Sequence, residues 1–268
     1  MKFIDKLLAA SHRNDSLLCI GLDPDPGLMP EIDLLAFNKA IIDATADLVC
    51  AYKPNLAFYE ALGIGGLKIL QKTVEYIPSH ITIIGDGKRG DIGNTAKAYA
   101  KALFVTFGFD AATVSPYLGF DSVEPFIEYK DKGVFILCRT SNSGAVDFQS
   151  LVDSHGMPLY EAVARKAMEW NVRGNIGLVV GATYPEELKV IRQLCPEMPL
   201  LIPGIGAQGG DLDSTIEYGV DAQGEKAIIA VSRQVLYASR GKDFAQAARD
   251  SAQELRDSIS KLVSQIVR

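Results

Sequence analysis

Three charged residues, Asp86, Lys88 and Asp91, directly follow the apolar run 81–85 in the segment ITIIGDGKRGDIGNTA. Residues two apart in an extended strand share a face, so the side chains of Asp86 and Lys88 are expected to point the same way. Such an array can keep a lysine protonated as a general acid, opposite negative charge that develops on a substrate carbon. The pattern favours acid catalysis over its alternative, a structural salt-bridge network.

A second lysine, Lys53, ends the preceding apolar run in the segment VCAYKPN, 49–55. If successive strands are neighbours in the sheet, Lys53 lies beside Asp86 and Lys88. Two lysines and two aspartates then share one water-poor pocket, where each cation favours the ionised form of its acidic neighbours. Asn94 or Thr95 is expected to cap the helix that follows Asp91.

Glycine-rich turns near the C-terminal end of the chain predict a phosphate site. The segment PGIGAQGG, 203–210, follows one apolar run, and Arg233 follows the next in AIIAVSR. Backbone N–H groups of such turns hold phosphate, and a guanidinium group binds the same anion with two donors. The alternative is that these glycines only form tight loops.

The elements that must position these residues follow from eight short apolar runs, which are 17–23, 49–55, 81–88, 111–117, 134–140, 176–183, 199–206 and 227–233. Helical spacing occupies segments between and after them, namely 34–48, 67–77, 95–104, 159–170 and 242–267. Continuous apolar runs are typical of parallel strands covered on both faces. We therefore predict one (β/α)8 barrel domain, an α/β fold over residues 1–268, with an N-terminal helix before Leu17; the alternative is an open doubly wound sheet.

Most of these runs end in groups that can do chemistry. In a parallel barrel all such ends meet at one rim, where the active sites of this fold lie. The polar residues concerned are Asp23, Lys53, Asn55, Asp86, Lys88, Ser115, Thr140, Ser141, Thr183, Ser232 and Arg233. Ser115 and Thr183 are equally well explained as strand ends that leave the core. The stretch 139–158 has no clear element pattern, and it is interpreted as a binding loop or lid, with disorder as the alternative.

The composition limits the classes of partner. With 27 Lys and Arg against 33 Asp and Glu, the net charge is −6, so no basic field attracts nucleic acid. The start, MKFIDKLLAASHRNDS, is too charged for a signal peptide or a membrane span, which predicts a cytoplasmic protein without membrane contact. The four cysteines are widely spaced and predict neither a zinc site nor a disulfide framework.

The segments GLDPDP, AYKPN, DGKRGDIGNTA, RTSNSGA, PGIGAQGGD and VSR, in this order and spacing, resemble the orotidine 5'-phosphate decarboxylase family in its longer bacterial form, type 2. The resemblance spans nearly the whole chain. It implies conversion of orotidine 5'-monophosphate to UMP and carbon dioxide in pyrimidine synthesis, on a barrel that uses no metal and no organic cofactor. It also implies a homodimer with active sites at the subunit interface.

The resemblance assigns roles to the charge array. Lys88 resembles the proton donor to pyrimidine C6, and Asp86 the group beside the departing carboxylate. Lys53 and Asp91 complete the array, with Asp91 reaching into the site of the neighbouring subunit.

Substrate contacts are implied in the same way. The residues assigned to binding are Asp23 for the ribose, Ser141 for the pyrimidine edge, Gln208 and Arg233 for the phosphate with Ser232 beside them, and Ile92 and Thr95 across the interface. The chain departs from the family pattern at Ser143, where proline is expected. Either Phe58 or Tyr117 is a candidate to line the pocket.

Two other functions remain open at this stage. Related barrels that act on sugar phosphates share the Asp-x-Lys-x-x-Asp segment but use magnesium, with an acidic ligand where this chain has Lys53. A non-catalytic nucleotide-binding barrel is the third hypothesis, and it has no need of a proton donor such as Lys88.

Overall fold

The computed structural model describes residues 1–206 and 209–267. Within these ranges, eight parallel strands pair in chain order, and the last pairs with the first to close a barrel. The strands are β1 (Leu18–Leu22), β2 (Ala51–Pro54), β3 (Thr82–Arg89), β4 (Ala111–Val114), β5 (Gly133–Arg139), β6 (Ile176–Val180), β7 (Leu200–Pro203) and β8 (Ala227–Val231). The closed barrel confirms the predicted fold and excludes the open sheet.

Helices follow the strands and cover the barrel. They are α1 (Phe3–Asn14), α2 (Leu34–Thr45), α3 (Leu56–Glu60), α4 (Gly63–Tyr76), α5 (Gly93–Lys101), α6 (Phe120–Ile127), α7 (Leu159–Trp170), α8 (Pro185–Leu194), α9 (Leu212–Gly219), α10 (Arg233–Leu236) and α11 (Phe244–Ile266). The predicted helices are present, including the N-terminal one. The helices that the sequence did not indicate are shorter, with four to ten residues. None of the helices in the described part of the chain is long and apolar enough to cross a bilayer.

The apolar runs form strands because both faces of the sheet are covered. β1, β6 and β8 are buried along their whole length, with side chains alternately inside the barrel and under the helices. The helix α1 closes the N-terminal end of the barrel: the ring of Phe3 lies edge-on to Phe135 with centroids 5.6 Å apart, and Lys6 Nζ binds Asp110 Oδ2 at 2.6 Å. The opposite end stays open for a site.

The stretch 139–158 is more ordered than its sequence suggested. It contains a 3₁₀ turn at Ser143–Asp147 and an antiparallel bridge between Val152 and Pro158. The side chain of Gln149 accepts a hydrogen bond from Thr140 N at 2.8 Å and donates to Thr140 Oγ1 at 2.9 Å. These contacts fix the start of the stretch against the end of β5.

Candidate active site

A cavity of about 430 Å³ opens at the C-terminal end of the barrel, within the size range of small-molecule sites. We call it the mouth cavity. Nine of the predicted strand-end residues line it: Asp23, Lys53, Asn55, Asp86, Lys88, Thr140, Ser141, Ser232 and Arg233. Ser115 and Thr183 are not among its lining residues, in agreement with their interpretation as ordinary strand ends.

The carboxylate of Asp86 lies between two lysines at the floor of this cavity. Lys53 Nζ on β2 binds Asp86 Oδ2 at 2.8 Å, and Lys88 Nζ binds Asp86 Oδ1 at 2.7 Å. The side chains of Lys53 and Asp86 are 9% and 8% exposed, whereas that of Lys88 is 48% exposed. The predicted neighbour relation is confirmed, and Lys88 is the lysine that an incoming molecule meets.

Thr113 on β4 is a fourth member of this cluster that sequence reasoning missed. Its hydroxyl donates to Asp86 Oδ1 at 2.9 Å and accepts from Lys88 N at 2.9 Å. Thr113 therefore holds both the carboxylate and the backbone of the lysine. Threonine is common in strands, so the run AATV carried no signal for this role.

The backbone of Lys88 is strained. Its φ is +45°, in the left-handed region that residues other than glycine rarely adopt. The pairing of β3 with β4 also shifts register between Gly85 and Arg89. Strain of this kind persists where surrounding structure holds it and is common at functional sites. Here the irregular end of β3 aims Lys88 into the mouth cavity.

The two lysines keep Asp86 ionised. Burial alone would raise the pKa of Asp86, but the charges and hydrogen bonds of Lys53 and Lys88 outweigh it and hold that pKa well below the ordinary 3.8. Burial alone would also lower the pKa of Lys53, yet the charges of Asp86 and Asp23 raise it above 10.5. Asp86 and Lys53 are therefore both charged at neutral pH.

A pH experiment tests this coupling. The folded-state pKa of Asp86 lies below that of the unfolded chain, so the unfolded chain takes up the proton first as the pH falls. Stability contributed by Asp86 is thus full above its unfolded pKa and is lost as the pH falls toward the folded pKa. We expect the free energy of unfolding of wild type, relative to Asp86→Asn, to decline between about pH 5 and pH 3 in urea titrations.

Asp131→Asn, at an exposed position, serves as the matched control for removing one carboxylate. Parallel pH curves for wild type and Asp86→Asn would show that Asp86 has no lowered pKa in the folded protein.

Asp91 does not join the cluster within its own chain, so the pocket with two lysines and two aspartates is not formed by one chain alone. Its carboxylate accepts a hydrogen bond from Ile92 N at 2.8 Å, and Asp91, Ile92 and Thr95 are not among the residues that line the mouth cavity. The predicted cap is also wrong, since α5 begins at Gly93 and Ile92 occupies the N-cap position without a side-chain bond. Gly93, the first residue of α5, has a φ of +55°, a backbone conformation that glycine adopts readily.

Asp23 lies across the cavity floor, after β1. Ser232 Oγ donates to Asp23 Oδ2 at 2.7 Å, while Asp23 Oδ1 is buried without a hydrogen-bond partner among the described residues. A Cβ atom on Gly21 would lie 2.0 Å from Ser232 Oγ, so only glycine lets β1 approach β8 this closely. Asp23 lines the mouth cavity, so its carboxylate is within reach of a ligand hydroxyl.

The predicted phosphate site is partly described. Pro203, Gly204 and Ile205 at the end of β7 line the mouth cavity together with Arg233, which begins α10. The structure therefore brings the first part of the glycine-rich turn and the arginine to one side of the cavity. Gln208 lies outside the described residues.

Ser141 and Phe58 also line the mouth cavity. A Cβ atom on Gly181 would lie 2.7 Å from Ser141 N, so glycine permits the close approach of the turns after β5 and β6. Phe58 lines the cavity, whereas Tyr117 is 83% exposed and does not.

The cysteines are buried and free of disulfides, and burial raises the pKa of the Cys19 thiol to about 12.

The chain was compared with known proteins. The model of the orotidine 5'-phosphate decarboxylase / HUMPS family matches residues 16–250. The orotidine 5'-phosphate decarboxylase of Dehalococcoides mccartyi is 60% identical over 247 residues, which cover 91% of this chain and 92% of that protein. The orotidine 5'-phosphate decarboxylase of Herpetosiphon aurantiacus is 55% identical over 246 residues, with 89% of this chain and 91% of that protein covered.

Solved structures agree with these sequence relatives. The structure of Leishmania donovani OMP decarboxylase superimposes with a TM-score of 0.87 at 40% sequence identity, and the match covers 98% of this chain and 99% of that chain. The family model, the sequence relatives and the solved structure each match most of this chain. The chain therefore belongs to the orotidine 5'-phosphate decarboxylase family.

Proposed function

We propose that this protein decarboxylates orotidine 5'-monophosphate to UMP at the mouth cavity, without a metal or organic cofactor, in pyrimidine nucleotide synthesis. The observation that carries the proposal is the ionised carboxylate of Asp86 held between Lys53 and the accessible Lys88. Family membership supports the same substrate.

The chemistry needs a cation already in place. When the bond between pyrimidine C6 and the carboxylate carbon breaks, the electron pair stays on C6 and carbon dioxide leaves. The ammonium group of Lys88 stabilises this charge and then delivers a proton to C6, which completes UMP. Only interactions that strengthen as the charge develops raise the rate, and a fixed ammonium ion beside C6 is such an interaction.

Asp86 contributes in the opposite sense. Its negative charge repels the substrate carboxylate in the ground state, and this repulsion falls as the carboxylate becomes neutral carbon dioxide. Lys53 and Thr113 keep Asp86 in place against that repulsion, through bonds of 2.8 and 2.9 Å. The strained, buried cluster is therefore explained by the reaction that it performs.

Binding of the rest of the nucleotide is assigned to the remaining residues. The carboxylate of Asp23 accepts a ribose hydroxyl, and Ser141 binds the pyrimidine edge, since both residues line the mouth cavity. Arg233 binds the phosphate, with Ser232 beside it and Gln208 from the preceding turn. Binding energy from this remote phosphate is available to organise the charged groups at the reacting carbon.

The magnesium-dependent alternative within the family is disfavoured by the donor set. The ammonium group of Lys53 occupies the place beside Asp86 that a divalent cation would need, and like charges repel. Among the described residues, no group of three His, Cys, Asp or Glu is arranged to hold a metal ion.

The direct experiment is the ultraviolet absorbance of orotidine 5'-monophosphate mixed with EDTA-treated protein. We expect rapid loss of the orotate chromophore in EDTA. Activity that disappears in EDTA and returns with magnesium would favour the metal-dependent reading, and tight UMP binding without turnover would favour a binding protein.

We also propose a homodimer with shared sites, in which residues 1–268 act as one domain. Asp91 and Thr95 do not line the cavity of their own chain. The neighbouring residues include an exposed apolar surface formed by Ile92, Tyr117, Leu118 and Phe120, which are 41–83% exposed. Gly90 lies against Ser115, so the turns after β3 and β4 that carry this surface are adjacent. A second copy of the chain would cover these side chains and receive Asp91.

Mixed dimers test the shared site. Lys88→Ala and Asp91→Ala are each expected to be nearly inactive alone, but a mixed dimer contains one intact site. Mixed dimers isolated from co-expression of the two variants are expected to show about half of wild-type activity, because each mixed dimer has one working site of two. Activity is measured as absorbance loss after purification through two tags.

The matched control combines Lys88→Ala with Asp86→Ala. These residues belong to the same chain's cluster, so no mixed dimer has an intact site and no activity is expected. Recovery in the control, or none in the test pair, would contradict the proposal that Asp91 acts across the interface.

A further inference from the structure

The short helix α10 carries more than the arginine assigned to phosphate. Ser232 precedes it, Arg233 begins it and Tyr237 follows its last residue. The hydroxyl of Tyr237 donates to the carbonyl oxygen of Asp23 at 2.8 Å and accepts from the N–H of Asp25 at 2.6 Å. One side chain thus ties down the backbone on both sides of Pro24.

The ring of Tyr237 is itself held. It stacks on Phe37 with centroids 6.3 Å apart and an interplanar angle of 14°. Burial raises the pKa of the Tyr237 hydroxyl, so the group stays protonated and able to donate. Packing of the ring therefore fixes the position of the Tyr237 hydroxyl.

The contacts of Tyr237 fix the backbone around Asp23. The Oδ1 atom of Asp23 is buried and has no hydrogen-bond partner among the described residues. Its other oxygen accepts from Ser232 Oγ at 2.7 Å. Tyr237 thus positions the backbone of Asp23, and Ser232 positions its side chain. These two residues flank α10, which begins at Arg233. A displacement of either anchor would move the carboxylate relative to the arginine.

We propose that Tyr237 is a positioning residue, whose hydroxyl fixes Asp23 so that the groups for the sugar and for the phosphate form one rigid unit. The inference rests on the proposed function, in which Asp23 binds ribose and Arg233 binds phosphate. Tyr237 also lines the mouth cavity, but its hydroxyl is bound to Asp23 O and Asp25 N, so its effect is assigned to the loop that carries Asp23. Removal of the Tyr237 hydroxyl is therefore expected to lower kcat/KM and UMP affinity only while the Asp23 carboxylate is present.

The test is a double-mutant cycle of Tyr237→Phe and Asp23→Ala, with kcat, KM and UMP affinity measured for each protein. Phenylalanine keeps the ring stacked on Phe37 and removes only the hydroxyl. We expect Tyr237→Phe alone to reduce kcat/KM and UMP affinity about tenfold, the order of a lost hydrogen-bond anchor. In the Asp23→Ala background the same substitution should change both quantities less than twofold.

The matched control is Tyr76→Phe, which removes a hydroxyl that binds Asp43 at 2.8 Å on the outer surface of the barrel, and which should leave both quantities unchanged. An equal loss in both Asp23 backgrounds would make Tyr237 a merely structural residue and overturn the inference, as would no loss at all. If wild type binds UMP but does not turn over substrate, the proposed function fails, and the cycle in UMP affinity still decides the role of Tyr237.

Discussion

Replacement of Lys88 by alanine is expected to lower kcat/KM for orotidine 5'-monophosphate by at least about 10³-fold, because one group supplies both the proton and the nearest positive charge. Lys53 cannot substitute for it, since its side chain is 9% exposed and its ammonium group is bound to Asp86. The carboxylate of Asp86 keeps its bonds to Lys53 and Thr113 in this variant. The measurement is initial rates of absorbance loss across substrate concentrations.

UMP binding distinguishes the loss of the proton donor in Lys88→Ala from a general loss of structure. UMP affinity of Lys88→Ala should stay within about tenfold of wild type, because the ribose and phosphate contacts are untouched. Lys166→Ala, at an exposed position on α7, is the matched control and should retain wild-type rates. Wild-type kcat/KM in Lys88→Ala would remove Lys88 from the chemistry.

The largest expected effect on stability comes from Arg192, far from the cavity. This side chain on α8 is 8% exposed and donates to the carbonyl oxygens of Gly219 at 2.6 Å and Met198 at 2.8 Å, and also to those of Cys195, Pro196 and Lys226. It thereby joins the ends of α8 and α9 to the starts of β7 and β8. Arg192→Met keeps the apolar stem but leaves these buried acceptors without their donor, which should cost about 3–5 kcal/mol of unfolding free energy.

Urea unfolding of Arg192→Met checks this expectation. Arg165→Met, exposed on α7, is the matched control and should change the unfolding free energy by less than about 0.5 kcal/mol. A loss for Arg192→Met as small as that of the control would show that its bonds contribute little net stability.

The barrel was predictable because parallel strands buried on both faces produce long apolar runs. Runs such as 17–23 and 176–183 contain β1 and β6, and the polar residues at their ends mark the rim. The helices that were missed are short, and α10 has only four residues, too few for a helical period to be visible. Helix starts were also harder to place, since α5 begins at Gly93 without a side-chain cap.

The candidate site was predictable where a charge interrupts an apolar run, as with Lys53, Asp86 and Lys88. It was not predictable where an ordinary residue gains its importance from contacts across the barrel. Thr113 and Tyr237 act through partners 25 to 214 positions away in the chain, and neither residue type is unusual in its own segment. The charge pattern also does not reveal that Asp91 lies outside the lining of its own chain's cavity.

In the proposed reaction, the Asp86 and Lys88 cluster of this chain breaks the bond between C6 and the carboxylate. The most direct measurement quantifies carbon dioxide and UMP together, after EDTA-treated wild type and Lys88→Ala meet orotidine 5'-monophosphate. We expect equal amounts of both products from wild type and a rate at least about 10³-fold lower from the variant. Carbon dioxide release at the same rate from both proteins, or UMP binding by wild type without carbon dioxide, would contradict it.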